Sequence, residues 1–86
     1  MKLIIRIGAD EYEIDGAGFE HRGAVDFSAS GQGKIGPKGA EQLLKILGSN
    51  YTQRSFSISS DAVRLLDCRV HRSDARGVVF QYLVKG

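Results

Sequence analysis

Gly31, Gly33, Gly36 and Gly39, with Lys34 and Lys38 set among them, are the residues whose types and spacing could do chemistry. Backbone N–H groups with no side chain beside them can approach an anion closely, and two ammonium groups add positive charge. The chemistry implied is capture of a phosphate or carboxylate. Pro37 then opens a helix, whose N-terminus would favour the same anion. Gly31, Gly33 and Gly36 also spell G-x-G-x-x-G. A dinucleotide fold needs a parallel strand before that motif and an acidic residue about twenty positions after it, a context the sequence does not supply. Pro37 stands where a phosphate-binding P-loop requires lysine. Phosphoryl and hydride transfer are therefore not expected.

A second constellation lies near the C-terminus. Arg69, His71, Arg72 and Arg76 gather towards the tip of a long hairpin, with Arg64 further down the same arm. Arginines on a β-ribbon can meet an acidic protein surface or enter a nucleic-acid groove. Phe80 and Tyr82 are expected to be internal, so the aromatic interleaving that stacks single-stranded bases is missing. A protein partner with an acidic surface is the favoured expectation, with nucleic acid as the alternative. The plain structural reading is a solvated hairpin carrying charge against aggregation.

Nothing local assembles a reaction centre. Cys68 lies between Leu66 and Val70 on an apolar face and reads as a small core residue. His21 and His71 have no metal-ligand spacing with Cys68 or with each other. Asp10, Glu11, Glu13 and Asp15 flank a hairpin and read as surface charge. No catalytic residue, metal or cofactor is expected, and the chain reads as a non-enzyme.

The elements that must position these residues follow from pattern. Residues 1–86 make a single domain with 42% apolar residues and ordinary charge density, which suits a folded globule with a thin core. Lys2 to Ile7 and Glu11 to Asp15 form a hairpin across Gly8-Ala9-Asp10, and Ala24 to Ser28 is a further short strand. The glycine-rich stretch is expected as loop. Between Pro37 and Gly48, Ala40, Leu43, Leu44, Ile46 and Leu47 make one apolar helical stripe, which requires tertiary packing. Phe56-Ser57-Ile58 is a strand, and Ala62 to Arg72 with Val78 to Val84 make the long hairpin around residues 73–77. Leu66, Cys68 and Val70 share a face there, whereas Val63 and Leu65 have the opposite parity. Either a bulge lies near Leu65-Leu66 or the strand is covered on both sides. The expected class is α+β, with one short helix and a mostly antiparallel, twisted sheet of five or six strands, either open or curled towards a small barrel.

Charge is divided along the chain. Residues 1–30 carry three Lys or Arg against six Asp or Glu, and residues 31–86 carry nine against four. Such a split either orients a partner or pairs one half of the sheet with the other. One cysteine cannot form an internal disulfide, and Leu3-Ile4-Ile5 is too short for a signal or a membrane span, so a cytoplasmic location without membrane association is expected. An edge strand leaves pairing into a dimer open.

Two short resemblances bear on function. Val25-Asp26-Phe27-Ser28-Ala29-Ser30-Gly31 contains D-x-S-x-x-G and resembles that element of PilZ domains, and the last hairpin is similar to the way those β-barrels close. The resemblance implies binding of cyclic di-GMP, with Asp26, Ser28 and Gly31 at the guanine end of the ligand. The family's R-x-x-x-R near the N-terminus is absent, so the paired guanidinium groups that would stack on guanine and neutralise phosphate are missing there. Gly36-Pro37-Lys38-Gly39 resembles the GxxG loop of KH domains, which implies a clamp on an RNA backbone. The leading expectation is a small non-enzymatic binding or regulatory module of bacterial or phage type, acting by protein–protein contact, with inhibition of a host enzyme as one such role.

Overall fold

The computed structural model describes residues 1–23 and 30–86. The expected strand at Ala24 to Ser28, and with it Asp26 and Ser28, lies outside the described residues.

The described residues form one sheet and one helix. Strands β1 (Lys2–Ile7) and β2 (Asp10–Asp15) form the opening hairpin, in which Gly8 adopts φ 58°, a left-handed turn conformation suited to glycine. Strand β3 (Glu20–Gly23) and β4 (Gly31–Ile35) follow, then helix α1 (Pro37–Leu47), β5 (Phe56–Ser59), β6 (Arg64–Asp74), β7 (Gly77–Tyr82) and the two-residue β8 (Val84–Lys85). The order across the sheet is β2-β1-β5-β6-β7-β4-β3, every pairing is antiparallel, and β8 pairs with β6. The sheet is not closed into a barrel. The α+β class and the antiparallel sheet are as expected, with seven strands in order and the short β8 beside them among the described residues, in place of five or six.

The additional strands come from segments with weak β patterning. Gly31–Lys34, expected as loop, is the first part of β4, and its glycines fit because aromatic rings of β7 cover them. Strand β3 consists of Glu20, His21, Arg22 and Gly23, all exposed, and it alternates nothing apolar.

Strand β6 joins the two halves of the sheet. Its first part pairs with β5 through Ser59↔Arg64, Ile58↔Leu65 and Phe56↔Cys68, and its later part pairs with β7 from Arg69↔Gln81 to Asp74↔Gly77. Between Leu65 and Cys68 the strand carries an extra residue, and Asp67 has φ 53°. Of the two readings of the parity conflict, a bulge or a strand covered on both sides, the structure has the bulge. It turns Leu65 inward before the irregularity and Cys68 and Val70 inward after it, leaving Leu66 half-buried. A second register shift falls between Val70 and Arg72. The turn of the last hairpin is shorter than expected, only Ala75-Arg76 between Asp74 and Gly77. Val78, Phe80 and Tyr82 are buried as their alternation requires, but Val84 is exposed because the strand breaks at Leu83.

One face of the sheet holds the core. Leu3, Ile5, Ile14, Phe56, Ile58, Leu65, Val70, Val78, Phe80 and Tyr82 meet Ala40, Leu43 and Leu47 of the helix. Helix α1 lies against β7 and β2. It begins on Gly36 and Pro37 and ends at Gly48, whose N–H donates to the Leu44 carbonyl at 2.9 Å and whose φ of 81° turns the chain out of the helix. The Arg54 guanidinium donates to the Leu47 carbonyl at 2.9 Å, which places a cation at the negative end of the helix dipole. None of the described helices is long and apolar enough to cross a membrane.

Candidate partner-binding face

The face of the sheet away from the core is where the chemistry-bearing residues collect. The register sets them in rows across four strands. Arg22 of β3 is opposite Gln32 of β4, which is opposite Gln81 of β7, which is opposite Arg69 of β6. The next row is Glu20, Lys34, Val79 and Arg72. Cross-strand partners share a face, so these rows stand on one surface. Together with Asp74 and Arg76 from the hairpin turn and Leu83 beyond β7, they line an open groove of about 1220 Å³. Arg69 does not take part, because its guanidinium turns aside to the Gln53 carbonyl at 3.3 Å.

Electrostatics distinguish this face from the rest of the surface. The acidic N-terminal strands are largely paired: Lys2 with Glu13 at 3.6 Å, Arg6 with Glu11 at 2.6 Å, and Lys38 with Asp15 at 3.9 Å. The charge division along the chain therefore serves mostly local pairing at that end. By contrast, among the described residues Arg22, Lys34, Arg72 and Arg76 have no carboxylate within ion-pairing distance. Glu20 and Asp74 leave the groove with a positive excess. Val79 is half-buried and Leu83 is 63% exposed, giving the groove an apolar strip among the charges.

The remaining expected site residues are dispersed. Arg64 lies on the other half of the molecule, beside Arg6 and the 59–63 turn. His71 is exposed at the second irregularity of β6 and does not line the groove. Of the glycine-rich group, Gly31, Gly33 and Lys34 lie on β4, but Gly31 and Gly33 sit beneath Tyr82 and Phe80. Gly36 and Gly39 pack against a different partner, the 15–18 turn: the Gly36 N–H donates to the Ala17 carbonyl at 3.1 Å, and the Gly39 backbone lies on the Asp15 carbonyl. Lys38 reaches the Asp15 carboxylate, whose Oδ1 also accepts from the Ala17 N–H at 2.8 Å. The glycines serve close approach of backbone to ring and of backbone to backbone, and the structure does not gather them into one cradle.

Arg22, Glu20, Val79, Gln81, Asp74 and Leu83 are groove residues that the sequence reading passed over. The signal for three of them was present, since Val79, Gln81 and Leu83 are the parity opposite to the buried Val78, Phe80 and Tyr82.

No group of three or more His, Cys, Asp or Glu side chains among the described residues is placed to hold a metal. Cys68 is fully buried, and its burial pushes the thiol up to about 12, which keeps it protonated and unreactive. No known protein family, curated protein or solved structure matches this chain.

Proposed function

We propose that this chain is a non-enzymatic binding module that captures an acidic protein surface on the outer face of β3, β4, β7 and β6. The observation that carries the proposal is that Arg22, Lys34, Arg72 and Arg76, unpaired among the described residues, rim the accessible Val79 and Leu83. Protein interfaces combine an apolar centre with a polar rim in which arginine is favoured. Carboxylates of a partner would complete the four cations and set its orientation, while Leu83 would supply desolvated contact. A protein is favoured over single-stranded nucleic acid because the aromatic rings of β7, Phe80 and Tyr82, point into the core and offer no stacking platform.

The test compares the wild-type protein with Arg72→Glu/Arg76→Glu and with Leu83→Asp. Affinity capture from a lysate of the source cell, followed by titration of the purified captured protein, should return an acidic partner whose affinity falls with each variant and with salt. Equal binding by wild type and variants overturns the reading. Retention of nucleic acid with a steep salt slope also overturns it, in favour of phosphate recognition.

A further inference from the structure

Strand β3 ends the sheet among the described residues, pairing with β4 on one side only. All four of its residues are exposed. Its sequence is self-complementary in charge about His21. Glu20 and Arg22 stand on the outer face, and His21 stands between them on the opposite parity, where its ring is 6.0 Å from that of Phe19.

We infer that β3 is a docking edge for a second copy of this chain, paired antiparallel about a twofold axis through His21 so that the two sheets become continuous. A twofold axis perpendicular to a sheet keeps each copy's outer face on the same side, so it pairs residues of equal parity. The register this dictates sets Glu20 of each copy opposite Arg22 of the other and His21 opposite His21. Two opposite-charge cross-strand pairs form on the outer face, one on either side of the axis. A register slipped by two residues destroys both. In the separate protein Glu20 and Arg22 make no ion pair with any described residue, so both charges are available. Edge addition leaves the sheet faces uncovered, and the dimer carries its two basic grooves side by side on one surface.

The interface is short, which sets the concentration range: sedimentation equilibrium from about 10 μM to 1 mM should show a monomer–dimer equilibrium, as expected for a small and transient contact. Glu20→Arg and Arg22→Glu should each weaken self-association by about tenfold, since the twofold axis makes every substitution count twice. The double variant Glu20→Arg/Arg22→Glu should restore it to within about threefold of wild type, because the complementary pairs are rebuilt in exchanged positions. His21→Lys, which sets like charges face to face on the axis, should also weaken it. A monomer throughout the range overturns the inference. So does a dimer indifferent to the single reversals, or a double variant that fails to recover while its melting curve matches wild type. Glu20 and Arg22 also line the groove, so self-association is read on purified protein with no partner present, and partner capture is scored on Arg72→Glu/Arg76→Glu and Leu83→Asp, which leave β3 unchanged.

Discussion

Phe80 stands directly across from Gly33 on the neighbouring strand, and its ring occupies the space where a side chain at position 33 would project. The same relationship recurs two residues along, where Tyr82 covers Gly31. Glycine here exchanges intrinsic strand preference for an aromatic lid from the adjacent strand. Gly33→Ala should therefore destabilise the domain by about 1–3 kcal/mol, the usual cost of overpacking a filled core. Urea unfolding measures it. An unchanged midpoint would show that the Phe80 ring yields without loss.

Gly39 tests the same idea against an opposing preference. It lies inside helix α1, where alanine gains about 1 kcal/mol of helix propensity over glycine. Yet a Cβ at position 39 would strike the Asp15 carbonyl oxygen, which belongs to the backbone of β2 and cannot rotate away. Gly39→Ala is expected to be destabilising on balance by at least about 1 kcal/mol, since a backbone shift costs more than the propensity returns. A rise in thermal midpoint would contradict the close approach of helix and strand.

The Tyr82 hydroxyl is buried and has no hydrogen-bond partner among the described residues. An unsatisfied buried hydroxyl carries a desolvation penalty with no compensating bond. Tyr82→Phe is therefore expected to leave stability unchanged or raise it by about 1 kcal/mol. Loss of more than that in chemical denaturation would mean the hydroxyl is satisfied in solution.

Cys68 gives a pH prediction with a definite sign. Its folded-state thiol lies near 12, against an ordinary value of 9.0, because burial disfavours the thiolate. Between about pH 9 and 12 the unfolded chain binds fewer protons at this position than the folded one, so this contribution to stability is complete below pH 9 and declines as pH rises. Cys68→Ala should flatten that alkaline decline while lowering stability at neutral pH through the lost packing. Ellman's reagent at pH 8 should label the native protein only at the rate of unfolding.

Arg54 closes the C-terminal turn of the helix from outside it, by donating to the Leu47 carbonyl. Arg54→Ala should cost about 0.5–1 kcal/mol, the range of a cation at a helix C-terminus, and should lose part of that difference in high salt. Equal melting of variant and wild type at low salt would place the interaction below measurement.

What was legible in the sequence is what local pattern controls. The period of Leu43, Leu44, Ile46 and Leu47, with Pro37 and Gly48 at the ends, defines α1, and alternation in Val78, Phe80 and Tyr82 defines the buried face of β7. The parity conflict of Val63 and Leu65 with Leu66 allows a bulge or cover on both sides, and only the pairing of β6 with β5 decides for the bulge. Strand β4 was hidden because what makes Gly31 and Gly33 acceptable in a strand is supplied by rings some fifty residues later. Strand β3 was hidden because, at an edge with both faces exposed, Glu20, His21 and Arg22 need no apolar alternation. The candidate site was legible only in part. Arg72 and Arg76 were recognisable as a basic pair, but their meeting with Arg22 and Lys34 depends on β7 and β4 lying between them. Arg64 and Arg69 drop out through the length of β6 and a contact to Gln53, neither of which spacing reveals.

The place of β6 has a consequence for how the polypeptide becomes a domain. The hairpin β1–β2 and the pair β3–β4 precede the helix in the chain, yet they occupy opposite ends of the sheet, and the strands that join them within it come later. A nascent chain emerging from the ribosome can close each hairpin early, but it has nothing to bind them into one sheet until residues 64–82 are available. Assembly is thus weighted towards contacts of large sequence separation, which slows folding relative to a helical domain of the same size and makes completion of the sheet wait for β6 and β7.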